Sequence, residues 1–172
     1  MNAEKNLAET PADNISENGW TYVQKTGALL RNNQPIGTGY SGFDNGKNNP
    51  DMQAVPNVGP VPQGSWTIVG PPFNSPEHGP YVMRLAPDKN THTFGRNGFL
   101  LHGDSIEAPG CGSRGCIIMP RAVRELVWQS GETSLEVVAE FQTQDVPEGP
   151  PRNDPADNAR PENDLPEAAS AS

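Results

Sequence analysis

The chain has 172 residues, about the length of one domain, and a formal net charge of −9. The acidity lies at the ends: residues 1–17 hold one Lys against four acidic residues, and residues 145–172 hold two Arg against seven. The middle is nearly neutral, with no basic cluster for nucleic acid and no apolar run near the roughly 18 residues of a membrane-spanning helix.

Composition divides the chain into three predicted parts. Only 33% of the residues are hydrophobic, while 19 are Pro and 18 are Gly, so the whole length is not expected to pack. We predict a flexible leader over residues 1–17, a folded domain over residues 18–144, and a disordered, acidic, Pro-rich tail over residues 145–172. Because the first residues lack the basic and apolar regions of a signal peptide, any export is expected to need other machinery.

The first predicted elements form a β-hairpin. Aromatic and β-branched residues at 20–23 (WTYV) predict a strand, a turn follows at 25–27, and residues 28–31 (ALLR) predict its partner. The Asn pair at 32–33 is expected to turn the chain again. From residue 37 to 64, the density of Gly, Pro and Asn predicts a long loop without regular structure.

More short strands are predicted further along the chain. Residues 65–69 suit a strand that breaks at the PPFN sequence of residues 71–74. The next strand, residues 81–85, places Tyr81, Met83 and Leu85 on one face by period-two alternation. The remaining predicted strands are residues 99–102, 116–119 and 134–141.

One helix is predicted, over residues 120–129 (PRAVRELVWQ). Proline suits the first turn, Val123, Leu126 and Val127 form an i, i+3, i+4 stripe, and Gly131 can end the helix. Seven or so strands with this helix predict a mainly β, sandwich-like domain with long Gly/Pro/Asn-rich loops.

Two motifs carry reactive residues. The sequence GFLLHGD at 98–104 is an apolar strand ending in His102, and SRGCIIM at 113–119 brings in Cys116. A thiolate is a strong nucleophile, and an imidazole can take its proton and hold it as an ion pair. From residue types alone, a hydrogen-bonded strand-end histidine and a small buried cysteine remain the alternative.

The spacing of these motifs resembles the signature of the L,D-transpeptidase (YkuD-like) family, in which a His-Gly pair is followed by Ser/Thr-His-Gly-Cys. Upstream, GYSG at 39–42, NNPD at 48–51 and GPVPQGSWTI at 59–68 resemble the branch of that family delivered by type VI secretion as antibacterial effectors. The resemblance extends over residues 20–141 and implies an L,D-transpeptidase-like fold, with the helix after the cysteine strand.

The resemblance implies a role for each motif residue. Cys116 is expected to be the nucleophile and His102 its base. A backbone carbonyl near Gly103 is expected to orient the imidazole, as an Asp or Asn does in other enzymes. Ser113 matches the Ser/Thr of the motif, whose hydroxyl is expected to hold the cysteine loop or to touch the substrate.

The oxyanion hole is expected to consist of backbone N–H groups, including those of Arg114 and Gly115. Two positions depart from the family pattern. Arg114 stands where the family has a second histidine, and Ile118 stands where an arginine commonly follows Cys-Ile. His102 is therefore the only base that the sequence places near Cys116.

Substrate contacts are expected from polar side chains, with the long loop forming a wall of the binding groove. Either Arg114 or Arg121 could bind a substrate carboxylate through two hydrogen bonds, although for each alone a solvated surface arginine is at least an equal expectation. Asp104 follows a glycine and equally suits a turn. The predicted substrate-binding residues are Tyr40, Ser41, Asn49, Asp51, Asp104 and Arg121.

By resemblance, the chain acts on tetrapeptide stems of bacterial peptidoglycan. It would cleave after the L-centre of diaminopimelate, release D-alanine and pass the acyl group to water (L,D-carboxypeptidase) or to an amine (L,D-transpeptidase or exchange). No cofactor or metal is expected. The implied partners are the stem peptide, a cognate immunity protein and a type VI secretion component, and the implied place of action is the periplasm of a target cell.

Other interpretations remain open at this point. A Cys111–Cys116 disulfide would fit a non-catalytic β-domain that binds peptidoglycan or a partner. A zinc site from His92, His102, Cys111 and Cys116 has weak spacing. Papain-like peptidases are disfavoured, because they place Cys before His and no histidine follows Cys116.

Overall fold

The structure, a computed structural model, describes residues 19–141. The predicted leader (1–17) and tail (145–172) lie outside the described residues. Within the described part, the chain forms nine strands, one α-helix and two short 3-10 helices, so the mainly β prediction is confirmed. No helix among residues 19–141 is long and apolar enough to cross a membrane.

The elements follow one another along the chain with short connections, apart from three longer loops: residues 53–63, 88–99 and 103–116. They are β1 (Trp20–Val23), β2 (Ala28–Arg31), β3 (Gln34–Thr38), β4 (Tyr40–Ser41), 3-10 helices at Asp44–Gly46 and Pro50–Met52, β5 (Gly64–Ser75), β6 (Gly79–Pro87), β7 (Leu100–His102), β8 (Ile117–Ile118), α1 (Arg121–Gln129) and β9 (Ser134–Val138).

All nine strands belong to one mixed sheet with the order β3-β2-β1-β9-β5-β6-β7-β8-β4. The predicted β1–β2 hairpin is present, and the Asn pair turns the chain into β3 with both residues in the left-handed region (φ 54° and 66°), as a two-residue hairpin loop requires. Two strand pairs are parallel, β9 with β1 and β7 with β8. The β7–β8 pair sets the register between the two sequence motifs, GFLLHGD and SRGCIIM.

The sheet curls until its two edges meet. Strands β3 and β4 lie at opposite ends of the sheet order, yet only Gly39 separates them in the chain. Gly39 N–H donates to the Gly27 carbonyl at 2.8 Å, and a Cβ at Gly39 would collide with the Ile118 carbonyl. A residue without a side chain is needed for this close approach. The curled sheet encloses one core that includes side chains from its distant strands, such as Trp20, Trp66, Met83, Leu101 and Ile117.

Two predictions for the first half of the domain were wrong in part. The PPFN sequence does not end its strand, since β5 continues to Ser75. The register with β6 shifts between Val69 and Phe73, so the prolines, which lack an N–H, lie where the ladder is interrupted. The predicted loop over 37–64 also contains the end of β3, all of β4 and both 3-10 helices.

The helix is placed as predicted, but its buried face is different. Val123 and Val127 pack into the core, whereas Leu126 is 51% exposed and Arg124 is 5% exposed. Arg124 belongs to the buried face because its long side chain carries hydrogen-bond donors to backbone carbonyls inside the domain. Gly131, with φ of 78°, follows the last turn as predicted.

The remaining strands differ from prediction only at their ends. The predicted strands at 99–102, 116–119 and 134–141 appear as Leu100–His102, Ile117–Ile118 and Ser134–Val138. The shared face of Tyr81, Met83 and Leu85 is confirmed, since all three belong to or pack against the core.

Candidate active site

The register of β7 and β8 brings the two predicted reactive residues to one place. Leu101 pairs with Ile117, and His102 pairs with Ile118. Continued by one residue, this register puts Cys116 beside Leu100, whose N–H donates to the Cys116 Sγ at 3.3 Å. Because alternate residues of a strand share a face, His102 and Cys116 project from neighbouring strands on the same side of the sheet.

The imidazole of His102 is oriented by its own backbone neighbour. Its Nδ1 lies 2.7 Å from the Gly103 carbonyl oxygen. A carbonyl can only accept, so Nδ1 carries the proton and donates, which leaves the lone pair of a neutral ring on Nε2. The Nε2 atom is buried and has no hydrogen-bond partner within residues 19–141. The ring therefore has an unused base at Nε2.

The surroundings of His102 oppose its protonation. Burial lowers the pKa of the imidazole to about 4. Electrostatic interaction with His78 and with Arg124 also lowers the pKa of His102, whereas the Gly103 carbonyl and Asp104 partly oppose this effect. At neutral pH His102 is uncharged and can accept a proton.

Cys116 is also held in its neutral form. Its side chain is 9% exposed, and burial raises the pKa of the thiol to about 11. The Leu100 N–H and the Arg96 charge act against this effect of burial. In this state the site therefore holds a neutral thiol and a neutral imidazole, not the thiolate–imidazolium pair that these residue types also allow.

Ser113 holds the cysteine loop. Its buried hydroxyl donates to the Cys116 carbonyl at 2.7 Å and accepts from the N–H groups of Gly42 at 2.9 Å and Gly115 at 3.0 Å. One donated and two accepted bonds use the full capacity of a hydroxyl, so this side chain has none left for a substrate. The Gly115 N–H is likewise engaged, which corrects its expected availability to an oxyanion in this conformation.

Arg96 is a buried residue at this site that sequence analysis missed. Its guanidinium donates to the carbonyls of Gln53, Pro60 (2.9 Å), Gly59 (2.9 Å) and Arg114 (3.4 Å). The side chain is 9% exposed. Nothing in the local sequence marked Arg96, since its partners lie 18 to 43 residues away.

Arg124 is the corresponding buried arginine on the histidine side. It donates to the carbonyls of Met119 (3.0 Å), Pro80 (2.8 Å) and Tyr81 (2.7 Å), and burial lowers the pKa of its guanidinium to about 10. A Cβ at Gly103 would lie only 2.6 Å from its Nη2. The glycine after the histidine therefore makes room for this arginine.

His78 is a second missed residue, from the turn between β5 and β6. Its ring centroid lies 4.4 Å from that of His102, with the two planes inclined by 39°. The side chain is 32% exposed, so it forms part of the cover over the buried imidazole. Only the hairpin connection between two long strands brings His78 to the site, and no motif indicated it.

Tyr40 and Asp104 order the loop between the two motifs. The Tyr40 hydroxyl donates to Asp104 Oδ1 and accepts from the Gly112 N–H at 2.7 Å, and burial raises the pKa of this phenol. Asp104 also accepts from the N–H groups of Ser105 (2.8 Å) and Gly110 (3.0 Å). The turn-forming alternative for Asp104 therefore describes this structure, and Gly103, not Asp104, orients the imidazole.

Some of the side chains predicted to contact the substrate form hydrogen bonds within the domain, and others are exposed. Ser41 is fully buried, and its hydroxyl accepts from the Val61 N–H at 2.8 Å and donates to the Gly115 carbonyl at 3.3 Å. The prediction that Ser41 contacts the substrate was therefore wrong. Asn49 caps the second 3-10 helix through the Asp51 N–H at 3.1 Å, while Asp51 itself is exposed.

Both predicted arginines lie on the surface against aromatic rings. Arg114 lies 4.6 Å from the ring centroid of Phe43, and Arg121 lies 4.6 Å from that of Tyr81. Arg121 Nε also contacts Glu125 at 2.8 Å. Both side chains remain exposed despite these contacts, so a ligand at the surface can reach them.

The two cysteines differ in environment and are not bonded to each other. Cys111 is exposed and Cys116 is buried, and both thiols are free. Among residues 19–141, no three His, Cys, Asp or Glu side chains gather as a metal-binding group.

Comparison with known proteins gives one result at the level of a domain family. No curated protein matches the chain. The family model of the Tlde1 domain (type VI secretion L,D-transpeptidase effector 1) matches residues 36–141, more than half of the chain and the part that contains His102 and Cys116. The chain therefore belongs to the Tlde1 domain family of type VI secretion effectors.

Proposed function

We propose that this domain is a cysteine-dependent enzyme, of the L,D-transpeptidase (YkuD-like) kind, that modifies tetrapeptide stems of peptidoglycan. The observation that carries the proposal is the free Nε2 of His102, with Nδ1 held on the Gly103 carbonyl and the Cys116 thiol on the same face of the sheet. Membership of an effector family whose name refers to L,D-transpeptidase supports it.

The reaction proceeds in two acyl-transfer steps. His102 Nε2 takes the Cys116 proton while Sγ attacks the carbonyl carbon at the L-centre of diaminopimelate. The C–N bond breaks, the proton on Nε2 passes to the departing D-alanine amine, and a thioester remains. Water or an amine then attacks the thioester with Nε2 as base, and Cys116 recovers its proton. Water gives an L,D-carboxypeptidase, and an amine gives an L,D-transpeptidase or an exchange reaction.

Proton transfer is coupled to attack in this proposal. The thiol has a pKa of about 11 and the imidazole a pKa of about 4, so both are neutral over the intervening pH range. A separated ion pair is costly between two side chains as buried as these. The substrate must therefore be in place when the proton moves, and Nε2 acts as a general base.

Substrate binding requires access to the covered pair. His78 lies against His102, and Nε2 has almost no contact with solvent. Movement of the β5–β6 turn would open the base. Arg114 and Arg121 are the exposed predicted contacts suited to a stem carboxylate, with Asp51 suited to an amine. The N–H groups of Arg114 and Cys116 are the proposed oxyanion donors.

The biological setting follows from the same proposal. As an effector, the protein would act on the peptidoglycan of a target cell, in the periplasm, with antibacterial effect. The producing cell would need an immunity protein, and delivery would need a type VI secretion component. No cofactor takes part in the proposed chemistry.

Mass spectrometry of purified tetrapeptide muropeptides tests the proposal. The wild-type protein, incubated with and without a D-amino acid, should remove or replace the terminal D-alanine. Cys116→Ala should remove this activity, and His102→Gln should lower the rate by about 10²–10⁴-fold, the usual contribution of general acid–base catalysis. Ser105→Ala, in an exposed turn, serves as the matched control. Unchanged muropeptides with a folded, reduced wild-type protein would contradict the proposal and favour a binding domain.

A further inference from the structure

Arg96 is a buried cation whose hydrogen bonds all go to neutral groups. Its guanidinium donates to four backbone carbonyls, and no carboxylate pairs with it within residues 19–141. A buried charge is normally compensated by an opposite one, because removing it from water is costly. Retaining an uncompensated arginine in this position calls for a functional explanation.

The four carbonyls belong to the two segments that surround the cysteine. Gln53, Gly59 and Pro60 lie in the loop before β5, and Arg114 lies in the cysteine loop. A planar guanidinium with five N–H donors can bond to both segments at once, with more hydrogen bonds than the ammonium group of a lysine can form.

The arginine is also packed directly against the cysteine loop. A Cβ at Gly115 would collide with the Arg96 guanidinium, so the residue before Cys116 must be small. The guanidinium also lies 5.2 Å from the ring centroid of Phe99. Arg96 is therefore packed between the backbone of the cysteine loop and neighbouring side chains, and has little room to move.

We propose that Arg96 is the positioning residue of the Cys116 loop, and that its uncompensated charge stabilises the thiolate that forms during attack. The attraction between Arg96 and Cys116, which opposes the effect of burial on the thiol, supports this proposal. The inference rests on the proposed function for its catalytic meaning, but the thiolate it concerns can be measured without any substrate.

The test is the pH dependence of Cys116 alkylation by iodoacetamide, followed by intact-mass spectrometry. All variants carry Cys111→Ser, because the exposed Cys111 thiol would also react. Arg96→Gln keeps amide donors without charge, and Arg96→Lys keeps charge without the planar fork. Arg124→Gln is the matched control, since Arg124 is also a buried arginine bound to backbone carbonyls but interacts with His102.

Removing the charge should raise the thiol pKa by about one unit, so Arg96→Gln should react about tenfold more slowly at a fixed pH below that pKa. Arg96→Lys should recover most of this rate, and Arg124→Gln should leave the thiol profile unchanged. If both buried arginines had only structural roles, substituting either one would lower thermal stability without changing the thiol pKa.

Two results would overturn the inference. One is a folded Arg96→Gln protein with the wild-type alkylation profile. The other, decisive if that variant does not fold, is a folded Arg96→Lys protein that reacts tenfold more slowly. If muropeptides stay unchanged while Arg96→Gln shifts the thiol profile, the proposed function fails and the role of Arg96 at the thiol stands.

Discussion

The cysteine side and the histidine side of the site are built in different ways. Cys116 lies just before a two-residue strand, and the loop that carries it is fixed by three side chains: Ser113 within the loop, and Ser41 and Arg96 from other segments. His102 ends a strand held on both sides by the sheet ladder, and its ring is oriented by the adjacent Gly103 carbonyl. The nucleophile therefore depends on side-chain hydrogen bonds, and the base depends on strand register.

This difference predicts which substitutions should destabilise each side of the site. Backbone ladders survive most side-chain substitutions, whereas a buried hydroxyl or guanidinium that satisfies several backbone groups cannot be replaced by an apolar residue. Apart from the reactive residues and the buried Arg124, single substitutions should therefore disturb the cysteine side more than the histidine side.

The largest expected effect on stability comes from Ser113→Ala. The substitution leaves the Gly42 and Gly115 N–H groups and the Cys116 carbonyl without their buried partner. Since each unsatisfied buried group costs about 1–3 kcal/mol, we expect a loss of about 3–4 kcal/mol after partial relaxation. Urea unfolding of the variant and the wild type measures this difference.

Ser105→Ala is the matched control for that experiment. The Ser105 hydroxyl accepts one exposed bond, from the Ala108 N–H at 3.0 Å, so its removal should cost less than about 1 kcal/mol. Equal losses of unfolding free energy for the two serine variants would show that the cysteine loop does not depend on its buried hydroxyl. This result would contradict the difference between the two sides of the site.

The same division explains what the sequence could reveal. Residue composition, periodicity and turn residues indicated β1, β2, most of β6, β7 and the helix, because these signals are local to each segment. The His-Gly and Gly-Cys motifs indicated the reactive pair, and the parallel β7–β8 register that joins them appeared only in the structure.

The missed features all depend on contacts between distant residues. Arg96 looked like any surface arginine, because its four carbonyl partners come from other loops. Ser41 looked available to a substrate, but the closure of the sheet buries it completely. Leu126 fitted the helical stripe, yet the side chain that reaches inward is that of Arg124. Local patterns carry no information about which polar groups a closed sheet will enclose.

The contribution of His102 to the free energy of unfolding should depend on pH in the acidic range. Burial lowers the pKa of His102 to about 4, below the value of about 6.5 expected in the unfolded chain. Between these values the unfolded state binds more protons, so stability falls as pH decreases from about 6.5 to about 4 and levels off below. The loss assigned to this residue is about 3 kcal/mol. Chemical unfolding across this range should show a shallower slope for His102→Gln, and an unchanged slope would contradict the burial of the imidazole.

The contribution of Cys116 to the free energy of unfolding should depend on pH in the alkaline range, where stability falls as pH rises. Burial raises the pKa of Cys116 from 9.0 to about 11. Between these values the unfolded state has released its proton and the folded state has not, so stability falls as pH increases, by about 2–3 kcal/mol in total. Cys116→Ser should remove this alkaline loss while keeping the acid loss. If both losses respond to one substitution, the two sides titrate as a coupled pair and are not independent.

The smallest expected effect is that of Arg121→Ala, on the surface of the histidine side. Its guanidinium contacts Glu125 at 2.8 Å and lies over the Tyr81 ring, but the two charged side chains are 51% and 40% exposed. Solvent screening reduces such a helical i, i+4 pair to less than about 0.5 kcal/mol, and the ring contact adds little at this exposure. Thermal unfolding should therefore hardly change, whereas binding of a stem carboxylate would weaken if Arg121 is a substrate contact. A loss of stability above about 1 kcal/mol would mean that the histidine side also depends on side-chain bonds, because Tyr81 supplies a carbonyl to the buried Arg124.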